Sequence, residues 1–72
     1  MCNKEVIIFL LEKQEILSGK EILKLGNTLG MWKNAMDGVN LTKLLYSLVN
    51  DDEEIIRFYN EKSRSWFYKI YK

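Results

Sequence analysis

The feature that most constrains the fold is a pair of alternating runs in the last eighteen residues, IIRFY and WFYKIY. Both runs are rich in β-branched and aromatic side chains, and the two-residue alternation is typical of strands. The polar segment NEKSRS between them is too long for a two-residue turn, so the tip of the hairpin should project. An isolated hairpin is marginal in water. We therefore predict a β-hairpin over about residues 55–71 that packs against the rest of the chain.

Residues 3–14, NKEVIIFLLEKQ, have the spacing of an amphipathic helix. Asn3 is a candidate N-cap, and Glu5 lies in the first turn, where the helix dipole favours a carboxylate. The apolar side chains that recur at helical spacing are Val6, Ile7, Leu10 and Leu11. The pattern predicts a first helix over this range.

A second, shorter helix is predicted over residues 18–25. Ser18 and Glu21 have the spacing of a capping box, in which each side chain accepts a hydrogen bond from the other residue's backbone amide. Gly26 favours a left-handed conformation that ends the helix. Residues 27–38 are irregular, and we interpret them as an insertion with a short helical turn, or alternatively as the second helix of a helix-turn-helix.

Residues 40–50, NLTKLLYSLVN, predict a third helix that Asn40 can cap. One face of this helix is apolar, and the other is richer in hydrogen-bonding groups than in charge: Thr42, Lys43, Tyr46, Ser47 and Asn50. Three helices followed by a hairpin predict an α+β fold, in one domain over residues 1–72.

Length and composition limit the classes of function. A chain of 72 residues forms one small domain, for which about 3–5 kcal/mol of stability is typical. With no histidine and a single cysteine, Cys2, neither an internal disulfide nor a four-ligand zinc site can form. No nucleophile has a base beside it, and the chain is too short to enclose a large pocket. We expect no metal, no cofactor and no enzymatic activity.

The longest apolar run, Val6–Leu11, is far shorter than the roughly 18 residues of a membrane span. No signal-peptide pattern is present, and a lone cysteine fits a reducing compartment. We expect a cytoplasmic protein with no membrane partner and no small-molecule substrate. Frequent lysine, isoleucine and asparagine favour an AT-rich genome, such as that of a virus or mobile element.

The formal net charge is only +1, but the charges are unevenly distributed. Residues 41–54 contain one lysine against the four carboxylates of Asp51–Glu54, whereas residues 55–72 contain five cations against one carboxylate. The acidic run lacks the spacing of a calcium loop, so we interpret it as a solvated turn. It would repel phosphate unless it points away from a bound nucleic acid.

This order of elements resembles the winged helix-turn-helix superfamily. The resemblance covers nearly the whole chain in order and spacing, without a signature motif. It implies a third helix that enters the major groove of double-stranded DNA and a wing, residues 60–65, that contacts the backbone. It also implies transcriptional regulation, with a possible homodimer on a palindrome. The residues implied to contact nucleic acid are Asn40, Thr42, Lys43, Tyr46, Ser47, Lys62, Arg64 and Trp66.

The strings LTKLLYSL and SRSWF are also similar to the Z-form nucleic-acid-binding winged helices of double-stranded-RNA adenosine deaminases and poxvirus proteins. Tyr46 and Trp66 match the aromatic pair of that group, and Lys43 matches a basic position. Thr42 stands where the group has Asn, and Arg64 is in the region where it has a Pro-Pro pair. The resemblance implies Z-form binding as an alternative function.

Each of these features has a simpler interpretation. Tyr46 and Trp66 could serve core packing, and Lys62 and Arg64 could be ordinary solubilising charges on a turn. A further alternative is a protein-interaction module or an inhibitor of a host enzyme. In that case an exposed sheet edge at WFYKIY would pair with a partner strand or with another copy of the chain.

Overall fold

The chain folds into three α-helices and a three-stranded antiparallel sheet in the computed structural model, which describes all of residues 1–72. The predicted α+β class is confirmed. None of the helices combines the length and apolar character needed to cross a membrane. In chain order, the elements are α1 (Asn3–Gln14), β1 (Ile16–Ser18), α2 (Gly19–Thr28), α3 (Gly38–Tyr46), a π-helical turn (Ser47–Asp51), β2 (Ile55–Asn60) and β3 (Ser65–Ile70).

Two strands of the sheet come from the predicted hairpin segment, and the third lies between α1 and α2. β2 and β3 pair antiparallel along their whole length, with Ile55 opposite Ile70. β1 pairs with β3 as well, with Leu17 opposite Tyr68, so the strand order is β1-β3-β2. The sequence does not predict β1, because three residues are too few to show an alternation.

The central position of β3 corrects the expectation of an exposed sheet edge at WFYKIY. β2 pairs with all of β3 on one side, and β1 pairs with Phe67–Lys69 on the other. The long free edge of the sheet is therefore β2, and the short one is β1.

The beginning of α1 differs from the prediction in its capping residue. Cys2 is the N-cap, and its amide donates a 2.9 Å hydrogen bond to the Glu5 carboxylate, which lowers the pKa of Glu5. The predicted cap, Asn3, is the first residue of the helix. Its side-chain oxygen accepts a 2.8 Å hydrogen bond from the amide of Lys33 and so connects α1 to the segment before α3.

The capping box of α2 is confirmed, but its predicted end is wrong. Ser18 Oγ accepts from the amide of Glu21 at 3.2 Å, and Glu21 Oε1 accepts from the amide of Ser18 at 2.9 Å. Gly26 lies inside the helix, where it is buried against the indole of Trp32. The left-handed residue after the helix is Gly30, with φ of 61°.

The segment between α2 and α3 contains no helical turn beyond the last residues of α2, so the predicted inserted turn is wrong. α3 begins at Gly38 rather than Asn40, because the carboxylate of Asp37 accepts a 2.8 Å hydrogen bond from the amide of Asn40. Asp37 is thus the cap that we assigned to Asn40. Past Tyr46 the helix widens into the π-helical turn.

Eleven buried hydrophobic side chains form one core between the helices and the sheet. α1, α3 and the π-helical turn together contribute seven of them: Val6, Ile7, Leu10, Leu11, Leu41, Leu45 and Leu48. β1, α2, β2 and β3 contribute one each, which are Leu17, Ile22, Ile55 and Tyr68 in that order. The two alternating runs therefore pack on the helices, as the instability of a lone hairpin requires.

Tyr68 makes the stability of this core sensitive to alkaline pH. Burial raises the pKa of its phenol above the ordinary value of 10.0, and the nearby charge of Arg57 opposes the shift. Because the folded state holds the proton more tightly, the contribution of Tyr68 to the free energy of unfolding should be constant below about pH 10 and fall as the pH rises further. Urea unfolding of the wild type and of Tyr68→Phe should diverge above that pH, with the variant losing less stability. Parallel profiles would contradict this assignment.

Candidate nucleic-acid interface

Arg57 lies at the centre of a surface that joins α3 to the hairpin. Its guanidinium carbon is 5.0 Å from the ring centroid of Tyr46 and 4.4 Å from that of Trp66. Tyr59 packs edge-on against Trp66, with ring centroids 5.3 Å apart. Tyr46 and Trp66 are still 48% and 43% exposed. We call these four side chains the aromatic–arginine surface.

The strand register explains why these side chains meet. Residues directly opposite each other in an antiparallel pair point to the same face of the sheet. The inner face, which packs on the helices, therefore carries Leu17, Ile55, Arg57, Tyr59, Trp66, Tyr68 and Ile70. Beyond the core residues of this face, the side chain of Arg57 contacts Tyr46 of α3. The outer face carries Ile16, Ile56, Phe58, Phe67 and Lys69.

Arg57 and Tyr59 are the two residues of this surface that the sequence analysis did not assign to the site. A signal for both exists in the alternation of β2. Arg57 is in phase with Ile55, a core residue, so an inner-face position could have been inferred. Its contact with Tyr46 could not, because that contact depends on how α3 packs against the sheet.

Three predicted site residues of α3 share its exposed side. Thr42, Lys43 and Tyr46 are exposed and line one shallow depression together with Val39. The Thr42 hydroxyl donates a 2.7 Å hydrogen bond to the carbonyl of Gly38, which leaves its oxygen free to accept. This side of α3 offers one cation, one hydroxyl and one phenol to a partner, beside Asp37, which lines the same depression.

Asn40 is exposed in the first turn of α3. Its backbone amide donates a hydrogen bond to the Asp37 carboxylate, so this carboxylate lies beside Asn40. A carboxylate here weakens any attraction of this end of the helix for phosphate.

Ser47 is not brought together with the other predicted residues. It is half-buried, and its hydroxyl accepts a 2.8 Å hydrogen bond from Lys4 of α1. Ser47 has regular helical backbone angles, with φ of −63° and ψ of −44°, so its orientation follows from the helical rotation past Tyr46. Its hydroxyl thus points to α1 and not to the aromatic–arginine surface.

The hairpin turn carries two predicted cations, Lys62 and Arg64, and both are exposed. Asn60 Oδ1 accepts a 3.1 Å hydrogen bond from the amide of Ser63, and Arg64 has a left-handed backbone with φ of 54°. The turn joins β2 to β3 at the end of the hairpin where Tyr59 pairs with Trp66, so its cations lie at that end.

The acidic run lies on the α1 side of the molecule. Lys4 Nζ is 2.8 Å from Asp52 Oδ2, and this hydrogen bond is the main reason that the pKa of Lys4 is raised. Asp52 and Glu54 line a depression together with α1 residues that include Phe9. These two carboxylates therefore face α1 rather than Tyr46. No cluster of three or more His, Cys, Asp or Glu side chains is arranged to hold a metal ion.

α3 and the hairpin thus carry four cations and three exposed aromatic rings: Lys43, Arg57, Lys62, Arg64, Tyr46, Tyr59 and Trp66. Comparison with known proteins returns no matching family model, no matching curated protein and no matching solved structure. The resemblance to winged helices therefore depends on the order of the elements and on this arrangement of side chains alone.

Proposed function

We propose that the chain is a small winged-helix protein that binds double-stranded DNA and acts as a transcriptional regulator. α3 would enter the major groove, and residues 60–65 would lie on the adjacent backbone. Three helices and a three-stranded antiparallel sheet with the order β1-β3-β2 are compatible with this layout.

The observation that carries the proposal is the position of Arg57 over both Tyr46 and Trp66. Arg57 connects the exposed side of α3 to the hairpin. A protein that contacts a duplex with both a helix and a wing requires such a connection. A helix about 10–12 Å across fits a major groove about 12 Å wide. On this geometry Thr42 and Lys43 reach base edges or phosphates from within the groove.

Phosphate contacts supply most of the affinity in such a complex, and base contacts supply the specificity. Lys62 and Arg64 on the turn are suited to phosphates, because they are exposed and separated from the groove-facing helix. Asp52 and Glu54, which face α1, do not oppose this approach. Their position supports the proposal, because these two carboxylates of the acidic run would lie away from the bound phosphates.

Fluorescence anisotropy with labelled random and palindromic duplexes tests the proposal. If each of the four cations neutralises one phosphate, log K falls with log salt at a slope of about −3.6, so that affinity drops about 150-fold between about 50 and about 200 mM salt. Absence of salt-sensitive binding to any duplex contradicts the proposal. An alternating GC duplex belongs in the set, because inversion of its circular dichroism spectrum would identify Z-form binding instead.

A further inference from the structure

The outer edge of β2 is the one long backbone edge of the sheet without a partner. β2 has six residues, and its other side pairs with β3 throughout. Each unpaired edge presents amide and carbonyl groups that can extend the sheet with another strand. β1, at the opposite edge, has only three residues and so offers little template.

The β2 edge also lacks the features that usually prevent pairing. Natural edge strands are protected by proline, by bulges, by short length or by charged side chains. The chain contains no proline, and β2 pairs with β3 without a bulge. Its one charged residue, Arg57, is held over Tyr46 and Trp66 on the inner face. On the outer face, Phe58 is 37% exposed and stacks on Phe67.

We propose that two copies of the chain pair through antiparallel β2 strands, with the two-fold axis at Phe58. The inference stands independently of the proposed function, because it uses only the edge and its register. A two-fold axis between antiparallel strands of one sheet is perpendicular to the sheet, so the inner faces of both copies lie on the same side. Residues directly opposite each other must then point to the same face of the sheet. Since side chains alternate between the two faces along a strand, the axis must pass through a residue and not between two residues.

Electrostatics chooses between the two central registers. An axis at Arg57 places the two guanidinium groups directly opposite each other, and like charges in that position are destabilising. An axis at Phe58 instead places Arg57 opposite the partner's Tyr59, where the cation meets an aromatic ring. The same register places Phe58 opposite the partner's Phe58, and aromatic pairs of this kind stabilise a sheet.

In this register the phenylalanines on the outer faces of the two copies also contact each other. Phe58 and Phe67 of one copy already stack, with ring centroids 6.1 Å apart and planes 20° from parallel. Across the axis they would continue into the same pair of the second copy, which makes a row of four phenyl rings. The result is a six-stranded sheet with both aromatic–arginine surfaces on one side. If the proposed function holds, that arrangement presents two copies of α3 to one palindromic duplex.

Light scattering after size exclusion, without nucleic acid, tests the pairing. The wild type should show twice the 8.6 kDa mass of the chain at high concentration and dissociate on dilution. Phe58→Lys places two like charges at the axis and should give the monomer mass throughout. Ile16→Lys is the matched control, since Ile16 is on the same outer face, is 46% exposed, and lies at the opposite edge. A wild type that remains monomeric at every concentration overturns the proposal, as does equal dissociation by both variants.

Cysteine cross-linking tests the register and remains informative if Phe58→Lys fails to fold. The background is Cys2→Ser, which removes the exposed native thiol and leaves a good N-cap residue. With oxidised glutathione, Phe58→Cys should form a disulfide-linked dimer. Ile56→Cys on the same face should not, because its Cα would be about 14 Å from its counterpart, beyond the roughly 7 Å limit. Equal cross-linking of both variants, or none at position 58, overturns the Phe58 axis. Because no nucleic acid is present, these results are separate from the fate of the proposed function.

Discussion

Replacement of Gly26 by alanine is expected to lower the free energy of unfolding by about 1–3 kcal/mol, the usual cost of overpacking a core. Helix propensity alone predicts the opposite sign, because alanine inside a helix is favoured over glycine by about 1 kcal/mol. The packing decides the result. A Cβ at Gly26 would overlap three atoms of the Trp32 indole, which is packed against the core and cannot move without a shift of its segment.

The reverse effect should appear once the indole is removed. In a Trp32→Leu background, Gly26→Ala should stabilise the protein by up to about 1 kcal/mol, since only the helix propensity remains. Urea unfolding of the four proteins of this double-mutant cycle measures the difference between the two backgrounds, which should be about 1–4 kcal/mol. Trp32→Leu is a suitable host because the buried Nε1 of Trp32 has no hydrogen-bond partner to lose. Additive effects of the two substitutions would show that the contact does not constrain the fold.

Gly26 also shows why some local predictions from the sequence were wrong. Gly26 and Gly30 are both candidate helix ends in the sequence, but only Gly30 has a left-handed backbone. The choice depends on Trp32, which fits against α2 only where a side chain is missing. The packing of Trp32 against Gly26 therefore outweighed the tendency of glycine to end a helix.

The elements that could be predicted have strong internal patterns. α1 has the bounds that its apolar spacing predicts, and both strands of the hairpin lie where alternation places them. β1 could not be predicted, because its partner is more than forty residues away and its own three residues carry no pattern. The candidate site divides in the same way. The exposed side of α3 follows from helical periodicity, whereas the hydrogen bond of Ser47 with Lys4 depends on the position of α1.

Substitution of Arg57 by glutamine is expected to weaken duplex binding by about tenfold and to reduce the salt slope by about 0.9, the contribution of one phosphate contact. Arg57 is the only side chain that contacts both Tyr46 and Trp66 through its charge, so its loss also removes this contact between α3 and the hairpin. Arg57→Lys should keep the salt slope but not the full affinity, because an ammonium group lacks the planar surface that stacks on two rings.

Lys13→Gln is the matched control for this substitution. Lys13 lies 5.5 Å from the ring centroid of Phe9 in α1, so the change removes the same charge and a comparable cation–π contact on the side of the acidic run. Its affinity and salt slope should equal those of the wild type, and thermal unfolding should show similar small losses of stability for both variants. If Lys13→Gln weakens binding as much as Arg57→Gln, the duplex responds to net charge alone. Binding would then not depend on the surface that connects α3 to the hairpin, and the proposed mode of recognition would be wrong.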